Sequence, residues 1–480
     1  MKREDFWYPP EAESAGAIPA GTKAGQFLFL SGQTSVDIDT GKMIRDFIDL
    51  PKDTRDKLTT KAHIVNAYFG PVMAQTETIY RNISKLLAVH GASLKDVIQQ
   101  RIFLPDPRDT GWMERVMLSF FPEDKPTTLV LGVPNRGVHE DIRVWVDMIA
   151  LVPQTGGLKK EPISLPELQK VTCPYPQAVK VGQFLFFEGL MGIDPRTGRP
   201  ATTFEQLGPE AKNLHREGQF SDGTSEAMKT QYWLTFFGHL RKVLESQGAS
   251  LDDILILEGF TRNGMRDLCQ REYLREKTWA SAEKAPLSFH FGDSSLSIIP
   301  EIEIAWGGVV LLPGPHKKIA GNYFGKGGTN NNDAVGFYSC VTKAGPFAFG
   351  GGVGYNVPKQ GSYTSFHDLA DDVASHGRFL VQGRIDDNHP IMSKAWHIYQ
   401  RSFDKAGIQP HQVLHQTVYL KNPSAWPAVE SIARIVFNGH LPPTTIIPVD
   451  EIAFYWKYHT SVPESVGGEM LEIMFRYLDT

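Results

Sequence analysis

AGQFLFLSG, at residues 24–32, decides the fold because the chain repeats it. The phrase returns as VGQFLFFEG at residues 181–189 and as AGPFAFGGG at residues 344–352. A second phrase, GASLKDV at residues 91–97, returns as GASLDDI at residues 248–254, and both pairs are 157 residues apart. Copies at one fixed distance indicate duplication of a whole domain. We therefore predict three tandem domains, at residues 1–155, 156–315 and 316–480.

Composition and charge narrow the class of protein. The chain has 480 residues, of which 41% are hydrophobic and 21% are charged, as in ordinary globular domains. Its net charge is −5 and its Lys and Arg residues are scattered, which argues against a nucleic-acid partner. No stretch approaches 18 uninterrupted apolar residues and the charged N-terminus lacks the apolar run of a signal peptide. We expect a cytoplasmic protein with no membrane partner.

The cysteines and histidines do not suggest a metal site. Cys173, Cys269 and Cys340 have no CxxC or CxxH spacing, and the sequence contains no HExxH motif. Structural zinc sites and disulfide frameworks need closely spaced ligands or paired cysteines. We expect neither a metal nor another cofactor.

Each repeat has the same predicted order of elements. An alternating strand is followed by a turn rich in Asp and Gly, and then by a long amphipathic helix that ends at a glycine. A strand, a second helix, a proline-marked strand and a final strand follow. The predicted strands after the long helix are residues 97–104, 254–261 and 413–420, and the predicted second helices are about residues 112–121, 266–278 and 425–437. This order predicts an α+β fold with helices on one face of a mixed sheet.

These residues resemble the Rid, or YjgF-like, family. The resemblance rests on GQFLFLSGQ at residues 25–33, the DTG turn at residues 39–41, the GASLKDV helix end and the proline before the penultimate strand. PYPQAVKVG at residues 174–182 and FYSCVTKAG at residues 337–345 are similar to the tyrosine-bearing segment that opens a typical member. The resemblance implies a chorismate-mutase-like fold and a homotrimer with ligand sites between neighbours. Three fused copies would form an intramolecular pseudo-trimer, present as a monomer or as a dimer of pseudo-trimers.

The family's main activity is hydrolysis of enamines and imines to ketones and ammonia. The resemblance implies that an arginine, two residues after the proline, holds the substrate carboxylate. This chain has Thr128, Ser288 and Thr445 at the matching positions. A hydroxyl cannot replace a charged, two-pronged clamp, so we expect the chain not to hydrolyse 2-imino acids as ordinary family members do. Arg271 is one of several arginines that could reach a cleft instead.

Other positions of the family's site match residues of this chain. Tyr175 and Tyr338 match the site tyrosine, whereas the first repeat has Ile18 there. Ser31 and Gly32 match the small pair at the end of the opening strand, where the second repeat has Glu188. Glu188 is either buried or cleft-facing, with the raised pKa that burial brings, or it points outward at the strand end.

Acidic residues supply candidates for a general base. The last strand offers Asp147 in the first repeat and Glu472 in the third. A family position on the second helix, 17 residues after the strand begins, falls on Glu114, Arg271 and Glu430. Each acid is either a base within reach of water or a solvated surface residue. We predict that the productive cleft pairs Tyr175 or Tyr338 with an acid from another repeat: Asp147, Glu472 or Glu114.

The sequence predicts a metal-free hydrolase or deaminase that acts on a C=N or activated C–N bond of a small polar compound between domains. The alternative is a binding or scaffold protein of the same fold that has lost catalysis. The predicted catalytic residues are Asp147, Glu472, Glu114 and Glu430. The predicted substrate-binding residues are Tyr175, Tyr338, Ser31, Gly32, Glu188, Thr128, Ser288, Thr445 and Arg271.

Overall fold

A computed structural model describes most of the chain. The described residues are 1–9, 18–134, 139–209, 226–262, 278–279, 281, 283–321, 339, 341–353, 356–357, 361–362, 389–452 and 471–479. Tyr338, Arg271 and most of the helix predicted at residues 266–278 lie outside them.

The strands form three large sheets and two short hairpins. The first sheet contains β1 (Arg3–Phe6), β2 (Gly21–Ala24), β3 (Phe27–Gln33), β4 (Val97–Leu104), β5 (Thr127–Gly132) and β6 (Trp145–Leu151). The next strands are β7 (Lys160–Ile163), β8 (Ala178–Val181), β9 (Phe184–Met191), β10 (Ile193–Asp194), β11 (Arg199–Pro200), β12 (Ile254–Thr261), β13 (Leu287–Gly292) and β14 (Ile304–Leu311). The last are β15 (Ile319–Gly321), β16 (Val341–Ala344), β17 (Phe347–Val353), β18 (Asn356–Val357), β19 (Gly361–Ser362), β20 (Val413–Leu420), β21 (Thr444–Pro448), β22 (Glu451–Ile452) and β23 (Leu471–Leu478).

Helices connect these strands. They are α1 (Lys52–Leu58), α2 (His63–Val89), α3 (Thr110–Phe120), α4 (Gln169–Thr172), α5 (Glu226–Trp233), α6 (Arg241–Glu245), α7 (His389–Ala406) and α8 (Trp426–Val436). A π-helical stretch, Leu234–Leu240, joins α5 to α6. Single 3₁₀ turns lie at Phe47–Asp49, Leu94–Asp96, Pro107–Asp109, Pro166–Leu168, Phe204–Gln206, Leu251–Asp253, Pro410–Gln412 and Pro423–Ala425.

The three large sheets have the same core order of strands. The first is β1-β2-β3-β6-β4-β5, the second is β22-β13-β12-β14-β9-β8-β7, and the third is β15-β16-β17-β23-β20-β21. In the first sheet, the antiparallel pair of β2 and β3 lies on one side of β6, and the parallel pair of β4 and β5 lies on its other side. The other two sheets have the same arrangement. The strands predicted at residues 97–104, 254–261 and 413–420 are confirmed to the residue. The second sheet also takes in β22, which pairs with β13.

Glycines end the long helices as predicted. Gly91 follows α2 with φ +72°, Gly248 follows α6 with φ +70°, and Gly407 follows α7 with φ +65°. Glycine adopts this left-handed conformation without the steric cost that a side chain adds. A 3₁₀ turn with reciprocal capping bonds then leads into β4, β12 and β20.

Helices cover one face of the first and third sheets. Ile79 and Ile83 of α2 pack against Leu28 and Ile102 of the first sheet, and α7 and α8 pack on the third sheet. The opposite faces meet in one apolar cluster. There the rings of Phe27 and Phe347 lie 5.1 Å apart, and those of Phe184 and Phe347 lie 5.5 Å apart. The two faces of β3 and of β17 therefore pack into different apolar clusters, whereas both faces of β9 pack into the same one.

The sheets contact one another through matching elements. The end of β3 meets β21, where Thr444 N donates to Ser31 Oγ at 3.1 Å. The end of β9 meets β5, where Glu188 N donates to Thr127 Oγ1 at 2.8 Å. A parallel bridge joins Leu287 of β13 to Ser339, just before β16.

Basic side chains in or next to β1, β7 and β15 make a second set of contacts between sheets. Lys160 Nζ donates to the carbonyl oxygens of Lys95, at 2.8 Å, and Asp124. Lys318 Nζ donates to those of Asp252 at 2.8 Å and Lys284 at 2.7 Å. Arg3 Nη1 donates to the Pro410 carbonyl oxygen at 3.4 Å. These contacts thus join the first sheet to the second, the second to the third, and the third to the first.

Candidate functional site

The junction of the first and second sheets brings together two predicted site residues. The hydroxyl of Tyr175, before β8, donates to Glu114 Oε1 on α3 at 2.5 Å. Both side chains are half-buried. Burial raises the pKa of Glu114, and the hydrogen bond from Tyr175 offsets part of that rise. Burial and the nearby Glu114 carboxylate raise the pKa of Tyr175. The pair therefore holds a carboxylate next to a phenol that stays protonated.

A chain of hydrogen bonds beside this pair includes Thr128. Gln100 Nε2 donates to Thr128 Oγ1 at 3.1 Å, and Tyr80 OH donates to Gln100 Oε1 at 2.9 Å. Tyr80 lies close enough to Tyr175 to raise the pKa of its phenol. Thr128, in the position of the family's arginine, is buried and contributes only a hydroxyl.

The junction of the third and first sheets has a different composition. Tyr399, Gln416 and Thr444 repeat the hydrogen-bond chain, at 2.9 Å for each step. Ile18 packs against the core of the third sheet, as Tyr175 packs against that of the first. Glu430 on α8 accepts from Arg434 at 2.7 and 3.1 Å, within an i, i+4 ion pair. This junction therefore has no phenol at the tyrosine position. Its carboxylate is already paired with Arg434, so we do not retain Glu430 among the candidate catalytic residues.

The strand register corrects one sequence match. Thr128 pairs with Gln100, and Thr444 pairs with Gln416, so Thr444 rather than Thr445 is the counterpart of Thr128. Two consecutive prolines precede Thr444, and the sequence match used the wrong one. Thr445 faces the other side of the sheet, where its hydroxyl lies 3.1 Å from His415 Nε2.

Asp147 lies in a buried polar cluster and not in a cleft. We define the central network as eight residues that are each at most 3% exposed: Gln99, Arg101, Asp147, Glu188, Glu258, His415, Tyr419 and Arg476. Arg101 Nη2 donates to Asp147 Oδ2 at 2.8 Å, and Arg101 Nη1 donates to Glu258 Oε2. Burial alone would raise the pKa of Asp147, but the charge of Arg101 holds it below its ordinary value. The prediction of Asp147 as general base is wrong, since an enclosed, ion-paired carboxylate cannot reach water.

Glu258 connects all three sheets within the central network. Besides Arg101, it accepts from Tyr419 OH and, at 3.4 Å, from Arg476 Nη2. Arg476 Nη1 in turn lies 3.3 Å from His415 Nδ1. Burial lowers the pKa of His415 to about 3, so its imidazole is neutral at pH 7. Two guanidinium groups thus face the carboxylates of Asp147 and Glu258.

Glu188 is buried, which decides between the two predicted orientations. Gln99 Nε2 donates to its Oε1, and Gly307 leaves the space that its carboxyl group occupies. Burial raises the pKa of Glu188 to about 8, with Arg101 opposing and Glu258 reinforcing the rise. Glu188 therefore belongs to the central network, not to a substrate cleft.

The other predicted residues lie in packing contacts between sheets or in paired strands. Ser31 Oγ donates to the Pro19 carbonyl oxygen at 2.6 Å, and Gly32 lies against Thr445. Glu472 pairs in register with Tyr419, whereas the counterpart of Asp147 in β23 is Met474, opposite Thr417. Ser288 is half-buried in β13, opposite Leu257. The match of Glu472 to Asp147 is thus shifted by two residues.

Comparison with known proteins shows what part of the chain is similar to. Residues 66–152 match the family described as Endoribonuclease L-PSP. A RutC family protein of Pyrococcus abyssi is 25% identical over 150 residues, covering 31% of this chain and 98% of the relative. These matches support membership of the Rid family for the part of the chain that they cover.

Two further similarities concern single Rid domains. The 3-aminoacrylate deaminase RutC of Acinetobacter baylyi is 35% identical over 66 residues, 14% of this chain and 52% of that protein. A solved structure from Mycobacterium tuberculosis, a member of the YjgF/YER057c/UK114 family, is 20% identical and covers 32% of this chain and 100% of that one, with a TM-score of 0.23. Both matches are close to one third of this chain or shorter.

Sequence reasoning about a Rid cleft missed Glu258 and Arg476 of the central network, and it placed Arg101 only among several arginines that could reach a cleft. Arg101, Glu258 and Arg476 are charged residues inside mainly apolar strands, and that was the available signal. Within the described residues, no group of three or more His, Cys, Asp or Glu side chains is placed to hold a metal ion. None of the described helices combines the length and the apolar character that a membrane crossing requires.

Proposed function

We propose that this Rid protein is a hydrolase that adds water to a C=N or activated C–N bond of a small polar compound and releases ammonia. The observation that carries the proposal is the contact of Tyr175 with Glu114 across the first and second sheets. Similarity to a 3-aminoacrylate deaminase supports the reaction class.

The cleft of Glu114 and Tyr175 is the proposed working site. Of the two junctions whose side chains are described, it alone has a phenol hydrogen-bonded to the helix carboxylate, because Glu430 at the other junction is paired with an arginine. Glu114 would accept a proton from water as the oxygen attacks the carbon of the C=N group, and would pass it to the nitrogen to give a carbinolamine. It would then carry the carbinolamine hydroxyl proton to the same nitrogen as the C–N bond breaks, which leaves a C=O group and ammonia. Tyr175 would hold the carboxylate in place through its hydroxyl hydrogen. Tyr338 and Arg271 remain candidates for the third junction.

Substrates with a 2-imino acid carboxylate should not be hydrolysed at the rate typical of Rid proteins. The hydroxyls of Thr128, Ser288 and Thr444 forfeit a charged carboxylate contact worth about 2 to 3 kcal/mol, or roughly 30- to 150-fold. Ammonia release from enamines, imines and amides, with and without a carboxylate, measures this directly. Fast turnover of 2-aminoacrylate would contradict the expectation.

The alternative is a binding or scaffold protein that has lost catalysis. It is favoured by the loss of a charged clamp at all three arginine positions. The same substrate panel separates the two proposals, because a scaffold releases no ammonia from any compound.

We also propose that the three predicted domains close into a pseudo-trimer within one chain, as a monomer or a dimer in the cytoplasm. Support comes from the strand order shared by the three sheets and from contacts that run from first to second, second to third, and third to first. The packing of β9 on β5 belongs to this closure.

Gly189→Ala tests that packing. Gly189 has φ +68°, and an added Cβ would lie 2.4 Å from the Thr128 carbonyl oxygen, on the neighbouring sheet. Gly91→Ala is the matched control, since Gly91 has φ +72° but nothing within 4 Å. The control should lose about 1 to 2 kcal/mol of unfolding free energy, and Gly189→Ala about 1 to 3 kcal/mol more. Equal losses in denaturant unfolding would argue against contact between β9 and β5.

A further inference from the structure

The carboxylate of Glu114 lacks the counter-cation that its counterpart has. Helices α3 and α8 correspond residue by residue, so Glu114 matches Glu430 and Leu118 matches Arg434. Arg434 binds Glu430 at 2.7 Å, whereas a leucine cannot bind Glu114. Among the described groups, only the Tyr175 hydroxyl counteracts the effect of burial on the Glu114 pKa.

Two arginines of the same part of the chain, Arg115 and Arg101, are engaged elsewhere. Arg115, next to Glu114 on α3, has its guanidinium 5.4 Å above the ring of Trp112. Arg101 is bound to Asp147 and Glu258 in the central network. The position of the family's arginine holds Thr128, whose hydroxyl already bonds Gln100 and the Pro126 carbonyl. Glu114 therefore brings a negative charge to its contact with Tyr175, and no described cation acts on its carboxylate there.

From this contrast we propose that the cleft of Glu114 and Tyr175 binds a cationic nitrogen group, such as an amidinium, iminium or ammonium, and disfavours carboxylates. The inference rests on the proposed function for the location of the site. A half-buried carboxylate gains most from a ligand that brings both a positive charge and N–H donors. An anionic ligand would instead be repelled by the Glu114 carboxylate, and partial burial strengthens this repulsion because it lowers the effective dielectric constant.

Benzamidine and benzoate are suitable probes, since they are planar and similar in size but opposite in charge. Titration of the full chain by calorimetry should show benzamidine binding at least about tenfold more tightly than benzoate. Glu114→Gln should weaken benzamidine binding by about 10- to 100-fold, the worth of one charge-assisted hydrogen bond. Glu430→Gln is the matched control and should leave the affinity unchanged.

Leu118→Arg provides an independent variant. It installs at α3 the pair seen between Glu430 and Arg434, and should reduce benzamidine binding as much as Glu114→Gln does. Thermal unfolding of each variant shows whether the fold is kept. Equal affinity for both probes, or unchanged benzamidine binding by Glu114→Gln, would overturn the inference.

The binding experiment and the test of the proposed function can fail independently of each other. Ammonia release that depends on Glu114, without benzamidine binding, rejects the cation preference and keeps the hydrolase. Benzamidine binding that depends on Glu114, without ammonia release from any compound of the panel, keeps the cation site and rejects the hydrolase.

Discussion

Glu114→Gln is expected to slow ammonia release by about 10²- to 10⁴-fold, the usual contribution of a general base. Glutamine keeps an oxygen that can accept from the Tyr175 hydroxyl, which lies 2.5 Å from the carboxylate. It cannot take a proton from water. The loss should therefore appear in kcat, measured on whichever compound of the substrate panel is turned over.

Glu430→Gln is the matched control for this experiment. It makes the same chemical change at the corresponding position of α8, where Arg434 already pairs with the carboxylate. We expect its turnover to stay within about twofold of the unmodified protein, as for a surface pair. If Glu114→Gln keeps full activity, or if Glu430→Gln loses as much, the working cleft is not between the first and second sheets.

The elements of the fold were predictable from local sequence. Strand bounds at residues 97–104 followed from the phrase GASLKDV, because a glycine ends the helix and a capped turn starts the next strand. The contact of Tyr175 with Glu114 was also among the predicted pairings of a tyrosine with an acid from another repeat. The strand bounds depended on a motif whose geometry is fixed within a few residues. The pairing depended on positions matched to the family's site in different repeats.

The central network was not predictable in the same way. Asp147 looked like a base because an acid in an apolar strand needs an explanation, but the explanation is Arg101, on the neighbouring strand. Glu258 is bound by residues from all three sheets. Such neighbours depend on how the sheets dock, and both faces of these strands read as apolar in sequence. Sequence spacing carries no record of a partner from another sheet.

Glu188→Gln is expected to flatten the pH dependence of stability. The carboxyl of Glu188 has a pKa of about 8 in the folded protein, against an ordinary value of 4.5. Between these values the folded state keeps a proton that the unfolded state has lost, so rising pH favours unfolding. The slope approaches 1.4 kcal/mol per pH unit, a loss on the order of 4 kcal/mol across the window.

Denaturant unfolding of both proteins at several pH values between about 5 and 8 measures this difference. Glutamine stays neutral, so the variant should gain stability relative to the unmodified protein as pH rises. The groups that face Glu188 remain unchanged: Gln99, Arg101, Glu258 and Arg476. Glu430→Gln, at a half-exposed ion pair, should retain the original slope. Parallel curves for Glu188→Gln and the unmodified protein would mean that Glu188 is already ionised in the folded state, and that the central network tolerates three carboxylates against two guanidinium groups.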